Sequence, residues 1–113
     1  MKTVREAKGE PLRIPDLLPP WEILAQLAEE CMELGQAALK VRRCLDDLNP
    51  TRMSYVEAVA HLNEEWADVL LTIRQLSLID EGRVYTVMKE KHERWLNSLI
   101  EHRRQEEAGD GRV

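Results

Sequence analysis

"LAEECMEL", Leu27 to Leu34, reads as the middle of an amphipathic helix that carries Glu29, Glu30 and Glu33 among apolar residues. "HLNEEWADVLL", His61 to Leu71, repeats the arrangement with Glu64, Glu65 and Asp68. Where these acids fall relative to the apolar stripes decides whether the helices are two ordinary surfaces or two halves of one site. At about 100° of rotation per residue, Leu24, Leu27, Cys31, Leu34, Ala38 and Val41 form one stripe. Glu30 and Glu33 lie on its flank, and Glu29 turns toward solvent. On the second helix Ala58, Leu62, Trp66, Val69, Ile73 and Leu76 form the stripe. Glu65 and Asp68 lie on its flank with His61 and Thr72 close by, and Glu64 points away.

Each acidic pair is spaced by three residues, which puts both carboxylates on one helical face. Like charges at that spacing repel, and a position beside the core raises the cost. A hard cation offsets it. Magnesium takes oxygen ligands, typically a few carboxylates with waters and substrate phosphates. Spacing alone also fits a solvated acidic surface, because 33% of the chain is charged. A di-iron bundle would call for Glu-x-x-His on each of two helices, and neither stretch supplies it.

Around these two stretches the chain punctuates itself. Pro11, Pro15, Pro19 and Pro20 make residues 1–19 an extended or poorly ordered arm. Leu12, Ile14, Leu17 and Leu18 give its second half enough apolar surface to pack on the domain or on a partner. Pro19-Pro20 opens a first long helix over residues 20–45, with proline tolerated in the first turn. "DDLNP" (Asp46 to Pro50) closes it. A second helix is expected over 54–78, opened by a capping box, "SYVE", from Ser54 to Glu57. "IDEG" (Ile79 to Gly82) turns into a third helix over 83–105, and "EEAGDGRV" should fray. The expected fold is all-α: an antiparallel bundle of three long helices in a domain spanning 20–106, followed by a flexible tail at 107–113. Three helices leave apolar faces uncovered, so assembly into a homodimer or homotetramer is expected to complete the bundle.

The 113 residues fit one domain, and the apolar share of 43% suits a globular chain. Leu, Ala, Glu and Arg dominate, which favours helix. The net charge of −5 argues against duplex nucleic acid as a partner. It leaves room for a small phosphorylated ligand, because a bound cation can invert the local field. Cys31 and Cys44 would stand about 20 Å apart along one helix, too far to pair. Two free thiols suit a reducing cytoplasm. No apolar run has signal-peptide or membrane-span character.

"EECMEL" followed by "EEWADVLLTI" resembles the EExxE … ExxD signature of the MazG-type all-α nucleoside triphosphate pyrophosphohydrolases of the dUTPase/MazG superfamily. The resemblance covers roughly residues 21–95. It implies that Glu30, Glu33, Glu65 and Asp68 hold Mg2+, with Mn2+ as a substitute. It also implies cleavage of a (d)NTP between the α- and β-phosphates to a monophosphate and pyrophosphate, by helical subunits that form dimers or tetramers. The chain departs from the pattern in the 31 residues between Glu33 and Glu65, a long interval for the family. The asparagine that accompanies phosphate-binding cations on a later helix has no clear counterpart. The candidate cations are Lys91 and Arg94 in "KEKHERW", flanking a stripe of Val84, Met88, Trp95 and Leu99; ordinary pairing with Glu90 or Glu101 would account for them equally.

Among the acids Glu33 is the candidate general base. Gln26, one turn before Glu30, is a candidate contact to a base or sugar. Trp66 and Trp95 are expected to pack in the core, while Trp21 sits at a helix start where it could line a base pocket. His61 is expected to be a hydrogen-bonded neighbour of the acids. The alternative to a hydrolase is a non-catalytic helical interaction or adaptor protein, for which the apolar arm and the mixed-charge tail speak.

Overall fold

The computed structural model describes residues 9–46 and 48–110, the side chain of Asp110 excepted. Residues 1–8 of the arm, Asp47 of the turn and residues 111–113 of the tail lie outside the described residues. The regular structure is all-helical, in the order α1 (Ile14–Leu17), α2 (Pro20–Arg43), α3 (Tyr55–Ile73) and α4 (Glu81–Asp110). The chain divides into two units, one ending at Leu78 and one beginning at Ile79.

Four helices stand among the described residues where the sequence predicts three. The addition, α1, lies in the arm, where prolines were expected to forbid helix. Pro15 falls in the first turn, where a missing N–H removes no helical bond. The Asp16 carboxylate accepts the Arg13 backbone N–H at 2.8 Å, which closes that turn.

In α2 Pro20 occupies the first turn as predicted, and the helix stops at Arg43. There Arg42 Nη1 donates to Asp46 Oδ2 at 2.7 Å, and the Leu48 N–H reaches Asp46 Oδ1 at 3.2 Å. α3 is capped by Ser54, whose Oγ accepts the Glu57 N–H at 3.2 Å. It ends at Ile73 rather than running to 78, because the chain tightens there. The Gln75 and Leu76 N–H groups bond back three residues, to the carbonyls of Thr72 and Ile73, and this turns Leu76 inward to 7% exposure.

α4 is capped by Asp80, whose Oδ1 accepts the Arg83 N–H at 3.1 Å. It continues to Asp110 instead of ending near residue 105. Pairs one turn apart line that extension: His102 Nε2 with Glu106 at 3.2 Å and Arg103 Nε with Glu107 at 3.4 Å.

The core lies between α2 and α3, and the buried stripe on each is not quite the predicted one. On α2 it follows Ile23, Leu27, Glu30, Leu34, Ala37 and Val41, while Leu24, Cys31 and Ala38 are exposed. On α3 and the turn that follows it, the stripe runs through Ala58, Leu62, Glu65, Val69, Thr72 and Leu76, while Trp66 is 52% exposed. Both stripes alternate steps of four and three residues, the pattern of helices packing side by side at a shallow angle. Two observations set an antiparallel register: Glu30 approaches Glu65, and Leu34 borders the same recess as Leu62 and Trp66. Continued, that register carries Ala37 opposite Ala58, and both are fully buried. Paired alanines let two backbones come close, and a tryptophan has no room in such a seam. The expectation that Trp66 packs in the core is therefore corrected: bulk sent it outward and brought Glu65 in.

Among the described residues no helix is long and apolar enough to cross a membrane. Cys31 and Cys44 are both free thiols, and the Cys44 S–H donates to the Met53 carbonyl at 3.4 Å.

Candidate metal centre

The shift of the buried stripes has one main consequence. Glu30 and Glu65 do not merely flank the seam between α2 and α3; they are part of it. Glu65 is only 9% exposed, and Glu30 is half-buried while Glu33, one turn on, is exposed. One carboxylate oxygen from each of Glu30, Glu33 and Glu65 lies within 4.8 Å of the others. Two helices thus converge three negative groups on one point at the edge of the core.

The hydrogen bonds leave this charge uncompensated. Gln26 Nε2 donates to Glu30 Oε1 at 2.7 Å, which orients that carboxylate. Glu30 Oε2 and Glu65 Oε2 are buried with no hydrogen-bond partner among the described residues. Among the described residues His61 is the cation-forming group within 4.0 Å of these acids, with Nε2 3.7 Å from Glu65 Oε1 and Nδ1 4.0 Å from Glu64 Oε2. Those distances are too long for strong hydrogen bonds, so His61 touches the cluster without satisfying it. A buried carboxylate oxygen with no donor is costly, and here two of them share one locus.

The donor set is all carboxylate oxygen, which suits a hard divalent cation and not a thiol- or imidazole-seeking one. Opposite ligands of a magnesium ion stand about 4.2 Å apart, so three oxygens within 4.8 Å of one another are close to the span of one coordination shell. Asp68, predicted as the fourth ligand, does not join this group. It is exposed on the next turn of α3 and lines, together with Glu30, a recess beside the cluster.

That recess has a volume of about 280 Å³. Gln26, Glu30, Asp68, Thr72 and Gln75 supply its polar atoms, and Ile14 and Leu18 of the arm close it from one side. Gln26 was legible as a site residue because it precedes Glu30 by one turn. Gln75 was not: the sequence places it in the last turn of a helix running to 78, and the tightened end of α3 brings it to the recess. The apolar second half of the arm was the available sign that α1 would pack here.

Lys91 and Arg94 belong to α4, in the second unit, and both are exposed. Neither pairs with Glu90 or Glu101 among the described residues. Trp21 and Trp95 are 69% and 70% exposed, so the predicted core role of Trp95 does not hold within its own unit.

Comparison with family models, with curated proteins and with solved structures finds no match to this chain.

Proposed function

We propose that the chain is a Mg-dependent nucleoside triphosphate pyrophosphohydrolase that converts a (d)NTP or related nucleotide to the monophosphate and pyrophosphate. The observation that carries the reading is the pair of buried, unpartnered carboxylate oxygens of Glu30 and Glu65 beside Glu33. An ordinary charged surface would leave these oxygens in water. A hard cation is the simplest group that meets all three, and the triphosphate is the ligand class that such an ion brings with it.

In this reading Glu30, Glu33 and Glu65 would hold magnesium, and Asp68 lines the adjoining recess. The ion supplies neutralisation of the triphosphate and activation of a water for attack on the α-phosphorus. The chain's own residues do the rest. Gln26 fixes the Glu30 carboxylate, and His61 borders Glu65 from the preceding turn. Glu33, the exposed member, is the one that incoming water can reach, so it takes the proton as general base. The family resemblance would assign the β- and γ-phosphates of the leaving pyrophosphate to Lys91 and Arg94, which belong to the other unit.

The same reading includes a homodimer or homotetramer. α4 exposes Val84, Tyr85, Met88, Trp95, Leu96 and Leu99, and a soluble chain seldom leaves so continuous a stripe bare. The test is a panel of (d)NTPs with magnesium, with monophosphate and pyrophosphate both measured. Equimolar products from at least one nucleotide, abolished in Glu65→Gln, are expected. Absence of release across the panel would sink the proposal.

A further inference from the structure

We propose that the recess between α1 and the α2/α3 pair is a nucleobase pocket that selects bases carrying an exocyclic amine, cytosine or adenine, over their keto counterparts. The inference rests on the reading of the neighbouring acids as a nucleotide site and goes further, to the part of the substrate that the acids do not touch.

Size comes first. Pockets for complete small ligands begin at about 300 Å³, and this one holds about 280 Å³. It suits one ring system and not a whole nucleotide. Position comes second. Glu30 and Asp68 form part of its wall, so a ring seated here hangs beside the carboxylate cluster. Ile14 and Leu18 of α1 and Leu71 of α3 offer apolar surface for the faces of a planar ring.

The polar atoms then decide which ring. Thr72, 9% exposed, donates its only hydroxyl hydrogen to the Asp68 carbonyl at 2.7 Å. Toward the recess its oxygen can only accept. Gln26 spends an amide hydrogen on Glu30 Oε1 at 2.7 Å, and Gln75 spends one on the Leu71 carbonyl at 3.0 Å. A carboxylate and a carbonyl cannot donate, so these bonds fix which end of each amide is nitrogen. Each glutamine keeps its Oε1 and a single N–H. With the Asp68 and Glu30 carboxylates, the recess presents five accepting groups against two remaining amide hydrogens.

An exocyclic amine supplies two donors to such a set, and the adjacent ring nitrogen, N3 of cytosine or N1 of adenine, accepts an amide hydrogen. Uracil and hypoxanthine reverse both positions. They set a carbonyl against acceptors, so lone pairs face each other, a mismatch that a polar pocket rejects more strongly than a missing methyl group.

The test uses uncharged nucleosides, so that neither phosphate nor metal enters. Cytidine, uridine, adenosine and inosine are titrated into the full chain, following the side-chain amide NMR signals of Gln26 and Gln75. Cytidine should bind about tenfold more tightly than uridine, and adenosine than inosine, as one hydrogen bond's difference gives. Gln75→Leu should reduce both ratios to about twofold or less, and Gln26→Leu provides an independent second variant. Equal or reversed ratios in the wild-type chain, or shifts that leave both glutamine amides unmoved, overturn the proposal. Selective nucleoside binding without pyrophosphate release from any triphosphate would uphold the pocket and refute the hydrolase. Release with no preference between cytosine and uracil, or between adenine and hypoxanthine, would do the reverse.

Discussion

The α2/α3 seam and the apolar face of α4 end in opposite states. The seam is buried although each of its stripes carries a glutamate. The α4 face has Val84, Tyr85, Met88, Trp95, Leu96 and Leu99 along one side, and every one of them is exposed. α4 is the least apolar and least amphipathic of the three long helices, and its large apolar side chains are the ones left exposed. Small side chains at Ala37 and Ala58 allow close approach in the seam. The bulk on α4 needs a wide partner surface. The contrast also shows where the chain tolerates a stability penalty. The seam holds Glu65 buried where leucine would pack better, and that cost is the observation on which the proposed cation site rests.

The most severe way to break this contrast is to make the seam as apolar as the α4 face. On the proposed function, Glu65→Leu should lower pyrophosphate release at least about a hundredfold, since there it would remove a ligand rather than a supporting group. In metal-free buffer it should raise unfolding free energy by about 1–4 kcal/mol, the range for replacing buried charge with a packed apolar group. Urea melts with and without chelator read both effects. Loss of stability in the metal-free variant would contradict the view that the acids strain the seam.

Next in size is the response to the ion itself. Magnesium at about a hundred times its Kd should add about 2.7 kcal/mol to the wild-type chain by linkage, a rise in Tm of about 10 °C or more. Glu30→Gln and Glu65→Gln should abolish the rise. An equal response in both variants would place the ion elsewhere.

The other side of the contrast is sharpened by charging the α4 face. Trp95→Glu with Leu99→Lys should convert an assembled species to monomer in sedimentation equilibrium, with kcat/KM changing at the same time only if assembly completes the site. A wild-type chain that already sediments as a monomer would show that the exposed face has another role.

Packing between the alanines gives a smaller effect. Ala58→Leu should cost about 1–3 kcal/mol through overpacking, seen as a lower urea midpoint with the slope unchanged. The smallest concerns the end of α2. The Arg42 guanidinium, with help from the Leu48 N–H, holds the Asp46 carboxyl below its ordinary value of 3.8. A depressed folded pKa adds stability above 3.8 that is lost as pH falls through the lower folded value. Asp46→Asn should therefore melt slightly below wild type near neutrality, and the difference should vanish as pH falls below 3.8. The exposure of the pair and its screening by salt keep this effect small.

Much of the arrangement is written in local patterns. Helix starts at Pro20 and Ser54, the split between Glu29 and Glu30, the outward Glu64 and the place of Gln26 beside Glu30 all follow from residue spacing and capping chemistry, because these are set within one or two turns. The convergence of Glu30, Glu33 and Glu65 depends on a rotation of both helices that hydrophobic periodicity leaves open by a residue. Leu24 or Ile23, and Trp66 or Glu65, compete for the same seam, and the closeness permitted by Ala37 and Ala58 settles the choice. Long-range packing likewise shaped the pocket. α1 forms in spite of its prolines because Asp16 caps it, and Gln75 turns into the recess because Leu76 is drawn into the core. The sequence by itself determined the helices and the supply of acids. The tertiary structure decided which acids are buried, because only a second helix at a definite distance can take a carboxylate out of water.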